Sequence, residues 1–263
     1  MTISKSLPPR TDLMRWDEEA DEPYILLPSH PDLRLTPWRE TDVDDAMKLY
    51  NDPSIAKYSF RRPYPYRKED FGFLRNVVLP PATETISTVL RPLLAPPAQP
   101  THPLPSPSSD SPLPFFPFII IRHHPSGRMI GDMAIFQPMR SDVSAADAKA
   151  AFGGKAKTSQ TAAEQTWEMA YNLMPEWTGK GIGGRVLDCV LEVWVKWVGI
   201  GTMMAGAETA NVNSSALVKS RGFVKVRTFI QEWPEDKGGG EREISHWELK
   251  MADHISRLGP AKS

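Results

Sequence analysis

The sequence has almost no cysteine: a single one, Cys189, in 263 residues. This excludes an internal disulfide framework and any zinc cluster built on cysteine, and it points to a reducing compartment. Charge of one sign is also lacking, with 31 Lys+Arg against 32 Asp+Glu. Without a basic excess, nothing electrostatic singles out nucleic acid as a direct partner. No stretch approaches the ~20 apolar residues of a membrane-spanning helix. Met1–Asp12 carries Lys5, Arg10 and prolines but no apolar core, so it does not read as a secretory leader. The expectation is a cytoplasmic protein with no membrane contact, long enough to bury a core without a structural metal.

Proline is what the chain has in plenty, 26 residues unevenly placed. Between Pro80 and Pro117 they crowd into Pro80-Pro81, Pro96-Pro97 and the alternating Pro103, Pro105, Pro107. Proline removes a backbone donor and fixes φ. That predicts an exposed, extended or disordered insertion over about 80–114 rather than regular helix or strand. A second insertion, rich in Ala, Lys, Ser and Gly, is expected over about 138–163. The acidic Asp17–Glu22 and the tail after Ala252 read as peripheral. The expected organisation is an N-terminal extension over 1–31, one domain over 32–252 and a tail over 253–263.

The remaining segments follow recognisable periods. Leu33–Leu35 alternates as a strand. Thr41 or Asp42 can cap a helix through Val43, Ala46, Met47 and Tyr50, ended by Asn51-Asp52-Pro53. A second helix is expected from about Lys68 to Val78. Phe115–Arg122 and Met129–Phe136 read as a hairpin around Ser126-Gly127, and Trp167–Met174 as a strand. Beyond the glycines at 179–184, a periodic helix carries Val186, Leu187, Val190, Leu191, Trp194 and Trp197. Thr202–Thr209, Val224–Ile230 and Ile244–Lys250 read as strands, with a short helix over Ser214–Ser220. The order implies an α/β or α+β fold with a mixed sheet.

The strand, glycine-rich loop and helix at Met169–Val198 carry the chemistry. A helix start leaves N–H groups unpaired and concentrates positive potential there. Glycines just before it let backbone approach an anion closely, which makes a phosphate or pyrophosphate cradle. Lys180 and Arg185 add charge at its rim. The P-loop template fails, because Gly184-Arg185-Val186 stands where Gly-Lys-Ser/Thr is needed. The spacing Gly179-x-Gly181-x-x-Gly184 does fit a dinucleotide fingerprint, yet it comes late in the chain and follows an antiparallel hairpin.

At this loop the sequence resembles the GNAT acetyltransferase superfamily, whose Arg/Gln-x-x-Gly-x-Gly/Ala loop binds the pyrophosphate of acetyl-CoA. Gly181 and Gly183 match its two small positions, while Thr178 stands where Arg or Gln is usual. Glu168 through Trp177, Asn211-x-x-Ser214 and Arg221-Gly222-Phe223 are similar to segments of the branch that acetylates ribosomal-protein N-termini and small amines. The resemblance covers about 33–79 and 115–251. It implies a mostly antiparallel mixed sheet flanked by helices, with the proline-rich segment as an insertion. It also implies transfer of acetyl from acetyl-CoA to a primary amine, a peptide N-terminus or a small amine, by direct attack in a ternary complex without metal.

By that resemblance the backbone of Leu173, Met174, Thr178, Gly179, Lys180, Gly181, Ile182, Gly183 and Gly184 faces the coenzyme. Asn211 steadies its arm, Ser214 assists the departing sulfur, and Glu168 is the general base. Many members place an acidic Tyr where this chain has Val218. The plain alternatives are a solvated carboxylate for Glu168 and helix capping for Asn211 and Ser214. Arg61, Arg62 and Tyr64 fall where the family forms its acceptor wall, or else form a solvated basic loop. His123-His124 reads as a surface turn and Cys189 as an ordinary helix residue. A catalytically idle CoA-binding module, with the proline-rich loop docking a protein partner, is the alternative for the whole chain.

Overall fold

Among the described residues, nine strands form one sheet in the order β1-β2-β3-β4-β5-β6-β7-β9-β8. The strands are β1 (Met14–Asp17), β2 (Glu22–Leu26), β3 (Leu33–Thr36), β4 (Ile120–His123), β5 (Arg128–Phe136), β6 (Thr166–Leu173), β7 (Thr202–Glu208), β8 (Val224–Glu232) and β9 (Glu241–Lys250). A computed structural model describes residues 7–107, 113–137 and 161–258. Every neighbouring pair is antiparallel except β6 with β7. The expected α/β fold with a mixed, mostly antiparallel sheet is what the chain adopts. No helix among the described residues is long and apolar enough to cross a membrane. Most of the second expected insertion lies outside the described residues.

One face of the sheet carries α1 (Val43–Asn51) and the single turn α2 (Pro53–Ala56). The other carries α4 (182–198) and α5 (Val212–Ser220). Ala46 and Leu49 bury the inner side of α1, while α4 buries Val186, Val190, Trp194 and Trp197. Phe116 and Phe118 meet Trp194 edge-on at 5.5 and 5.7 Å. On β4, buried Arg122 is fully paired: its guanidinium bonds Asp42 at 2.7 and 2.9 Å, Thr36 at 3.0 Å and the Gly127 carbonyl at 2.7 Å. A buried ion pair this well satisfied fixes how β4, its hairpin turn and the start of α1 sit together.

The proline-rich segment overturns its expectation. The second helix does not stop at Val78 but runs on as α3 (71–94), and Ala82, Leu90 and Leu94 are buried. Two wide π turns, Leu74–Val78 and Ile86–Leu90, come just before Pro80-Pro81 and Pro92. Proline lacks an N–H and clashes with the carbonyl four residues back. A wide turn shifts that carbonyl's bonding and lets the helix restart with proline in its first turn, where no donor is needed. Further on, the Pro105 carbonyl accepts from Trp197 at 2.9 Å, and Leu104 N–H donates to the Thr11 hydroxyl at 2.8 Å. The segment is partly core.

Three smaller differences share one cause, packing that local pattern does not show. Phe115–Ile119 is buried but outside the ladder, because Pro114 and Pro117 interrupt its donors. β1 and β2, expected as an extension, lengthen the sheet. The tail after Ala252 is not peripheral, since His254 Nε2 meets buried Glu192 at 2.7 Å. Cys189 is an ordinary buried helix residue whose thiol is pushed up to about 12 by burial.

Candidate active site

β6 and β7 pair from Thr166 with Thr202 only as far as Met169 with Ala205. Beyond that point Ala170–Leu173 stays on β5, and Gly206–Glu208 stays on β9. The two parallel strands therefore part, and a wedge opens at the centre of the sheet with unpaired backbone on both sides. Peptide groups alternate along a strand. Met174 donates its N–H to the Ile130 carbonyl at 2.8 Å, so the N–H of Leu173 points the other way, into the wedge. The Met174 N–H, committed to β5, does not face the wedge.

From the wedge the chain turns at Pro175–Trp177 and enters the glycine loop. Gly179 and Gly181 have φ of 73° and 75°, the left-handed region, and a Cβ on either would meet nothing within 4 Å. Gly181 directly precedes α4, and Arg185 donates back to its carbonyl at 3.2 Å. The N–H groups of Ile182, Gly183 and Gly184 thus form the first turn, which has no partner within the helix. The Ile182 side chain is core and pins the helix start. Beside that turn, a Cβ on Gly184 would overlap the Arg221 guanidinium, which Asp188 holds at 3.2 Å. Lys180 sits 5.0 Å above the Trp177 ring. Thr178 is a correction: both its donors go to the Pro175 carbonyl, the hydroxyl at 2.7 Å and the N–H at 3.1 Å. They close the preceding turn instead of facing the loop.

Alternation along β6 divides the polar groups between the two faces of the sheet. On the α1 side Glu168 is largely withdrawn from water; burial raises its pKa, and the charge of Arg61 opposes the rise. Further along, Asp132 collects Asn172 at 2.6 Å, the Tyr50 hydroxyl at 2.9 Å and Arg62 at 3.1 Å. Arg62 also covers the Tyr50 ring at 3.6 Å, so its side chain is paired rather than part of a solvated basic loop. The loop over 57–64 is tied to the β8–β9 hairpin. Trp233 and Arg242 donate to the Lys57 carbonyl at 3.0 and 2.8 Å, and Lys237 donates to that of Phe60 at 3.0 Å. Asp236 accepts from the Tyr64 N–H at 2.9 Å.

On the α4 side, Tyr171 shares a hydrogen bond with Ser214 at 2.9 Å, and burial raises the phenol pKa. The Asn211 side chain caps α5 by accepting from Ser214 N–H at 3.1 Å. Capping therefore accounts for the Asn211 carbonyl, while the Ser214 hydroxyl is directed to Tyr171. Val218 is core. Tyr171, Asp132 and Asn172 were missed from sequence; alternation of Tyr171 with Glu168 along one strand was the available signal. His123 bonds the Ser126 hydroxyl at 2.7 Å, as a turn residue does. No group of three or more His, Cys, Asp or Glu gathers for a metal among the described residues.

The overall fold has counterparts among solved structures. The spermidine N-acetyltransferase of Vibrio cholerae, solved with CoA and spermine, matches 84% of this chain and 96% of its own at 14% identity, with a TM-score of 0.53. The two chains share a fold. A second structure described as an acetyltransferase matches 84% of each chain at 12% identity and a TM-score of 0.50. The ribosomal-protein-alanine N-acetyltransferase of Brucella melitensis is 22% identical, but only 47% of this chain and 63% of that one are matched, with a TM-score of 0.35. No family model matches the sequence, and no curated protein matches it. The likeness is one of fold alone.

Proposed function

We propose that this protein is a cytoplasmic N-acetyltransferase that moves acetyl from acetyl-CoA to a primary amine, a peptide N-terminus or a small amine, by direct attack in a ternary complex. The single observation that carries this reading is the wedge, which presents the Leu173 N–H beside a helix start with two left-handed glycines. The residues fit the coenzyme. Open space over Gly179 and Gly181 admits a diphosphate to the N–H groups of 182–184, and the parted strands admit an extended arm.

Each remaining role has a group on the appropriate side. Glu168 takes the ammonium proton through water, leaving the nitrogen lone pair free to attack. Leu173 N–H supports the carbonyl oxygen as charge gathers on it. As the C–N bond forms and the C–S bond breaks, Tyr171, steadied by Ser214, supplies a proton to the sulfur and is restored by the second proton that the nitrogen sheds on becoming an amide. An idle CoA-binding module is favoured by one observation, that Thr178, closed on Pro175, and Val218, in the core, offer the coenzyme no side-chain donor, and Tyr171 answers it by offering a hydroxyl from the sheet. The test is thermal stabilisation by acetyl-CoA together with thiol release on a panel of amines, for wild type and Gly181→Val. A β-branched residue at φ 75° is strained, so both signals are expected to vanish in the variant. No stabilisation of wild type at millimolar acetyl-CoA refutes the proposal; stabilisation without turnover leaves the idle module.

A further inference from the structure

On the α1 face two titratable side chains converge on the place where a third is absent. A Cβ built on Gly206 would lie 3.6 Å from Glu168 Oε1, 3.6 Å from His246 Nε2 and 3.5 Å from His246 Cδ2. Glu168 approaches from β6 and His246 from β9, the two neighbours of β7. Gly206 is exposed and is the first residue of β7 beyond the ladder with β6. The point over it therefore opens on the wedge, and a water or an ammonium nitrogen seated there touches both groups.

Burial and charge, rather than hydrogen bonds, act on the pair. Burial raises Glu168, with Arg61 opposing. Burial lowers His246, assisted by Arg227 on β8 and opposed by Glu248 on its own strand. The Phe229 ring stands edge-on to the imidazole at 4.8 Å. Opposite displacements bring a carboxyl and an imidazole toward equal proton affinity, the condition under which a proton passes between them with least loss.

We propose that a water over Gly206 couples Glu168 to His246, and that His246 receives the proton Glu168 removes from the acceptor and returns it to solvent. The proposal rests on the N-acetyltransferase reading. One ammonium N–H bond breaks, its electron pair stays on nitrogen, and the proton moves from Glu168 to imidazole and then to bulk water. Glu168 is thereby ready again, and one proton leaves per amine consumed. His246 acts through Glu168 and is a positioning residue.

The experiment has two arms on the full chain. In the first, the His246 ring signal, assigned by its loss in His246→Gln, is titrated by NMR in wild type, Glu168→Gln and Gly206→Ala. The Gly206 variant is chosen because its methyl meets its neighbours at ordinary contact distance, so it folds while filling the water's place. The His246 midpoint is expected to move by about half a pH unit or more in both variants. In the second arm, His246→Gln and Gly206→Ala are expected to lower kcat about tenfold or more and to reshape its rise with pH, and His246→Gln, which lies off the wedge on β9, to do so with affinity for acetyl-CoA unchanged. An unmoved midpoint in Glu168→Gln overturns the coupling whether or not the chain is active. A wild-type pH profile in His246→Gln overturns the relay. Wild type that binds acetyl-CoA but acetylates no amine overturns the transferase reading instead.

Discussion

Replacing Glu168 by Gln should weaken activity and strengthen the fold in the same molecule. Loss of a general base costs roughly 10²–10⁴ in rate, about 3–5 kcal/mol of barrier. Acetyl-CoA binding should persist, because Glu168 lies on the α1 face while the glycine loop leads into α4. Stability follows from linkage. Burial raises the Glu168 pKa in the folded chain above the ordinary 4.5. Between the two values the folded chain keeps a proton that the unfolded chain has released, so wild-type stability falls as pH rises through that window. It levels off above the folded value. Each unit of the window is worth about 1.4 kcal/mol, and Gln loses none of it. Urea unfolding of both proteins from about pH 4 to about pH 8 should show curves that converge in acid and separate in base, with Gln the more stable. Amine acetylation on the same samples reads the other half. Parallel stability curves would show a solvated carboxylate, and undiminished acetylation would remove Glu168 from the reaction.

Two further outcomes test the opposite face and the proline-rich helix. Tyr171→Phe should lower kcat by about 10²-fold or more without weakening acetyl-CoA binding. Ser214→Ala should add little on top of it, since the two hydroxyls act as one pair; additive losses would separate them. Leu90→Ala removes a side chain with no exposure and should cost ~2–5 kcal/mol, lowering Tm by about 4–20 °C. A Tm within a degree of wild type would return α3 to the status of a loose insertion.

The sheet strands from β3 onward and the helices α1, α4 and α5 were legible because each signals itself locally. Alternation marks β5 and β6, and glycines punctuate the start of α4 and the end of α5 at Gly222. The continuation of α3 through Pro80, Pro81 and Pro92 was not legible. A residue-level rule counts the lost donors, but not the wide turns that make them unnecessary or the burial of Leu90 and Leu94 that holds the helix in place. The glycine loop could be read as a cradle, yet which donors remain free within it could not. That depends on Met174 N–H meeting Ile130 and Thr178 closing on Pro175. Gly206 lies unremarked within the Thr202–Thr209 strand pattern, and only the register of β7 on β9 sets it opposite His246.

The vacancy at Val218 shows why roles cannot be carried over one position at a time. A hydroxyl near the departing sulfur is a requirement of place, set by the chemistry, and any element bordering the wedge can meet it. Here Val218 belongs to the core, while Tyr171 crosses from β6 to the first turn of α5 and meets Ser214. The same strand sends Glu168, an odd number of residues away, to the opposite face. On the proposed reading, the base for the amine and the acid for the sulfur stand on opposite faces of the sheet, and it is the alternation of β6 that separates them. Moving the tyrosine back to the helix as Tyr171→Phe with Val218→Tyr should therefore fail to restore turnover, since the ring would have to displace core packing that Val218 now fills. Recovery of turnover in that double variant would show that the hydroxyl's position tolerates either origin, and that the strand's alternation has no part in dividing acid from base.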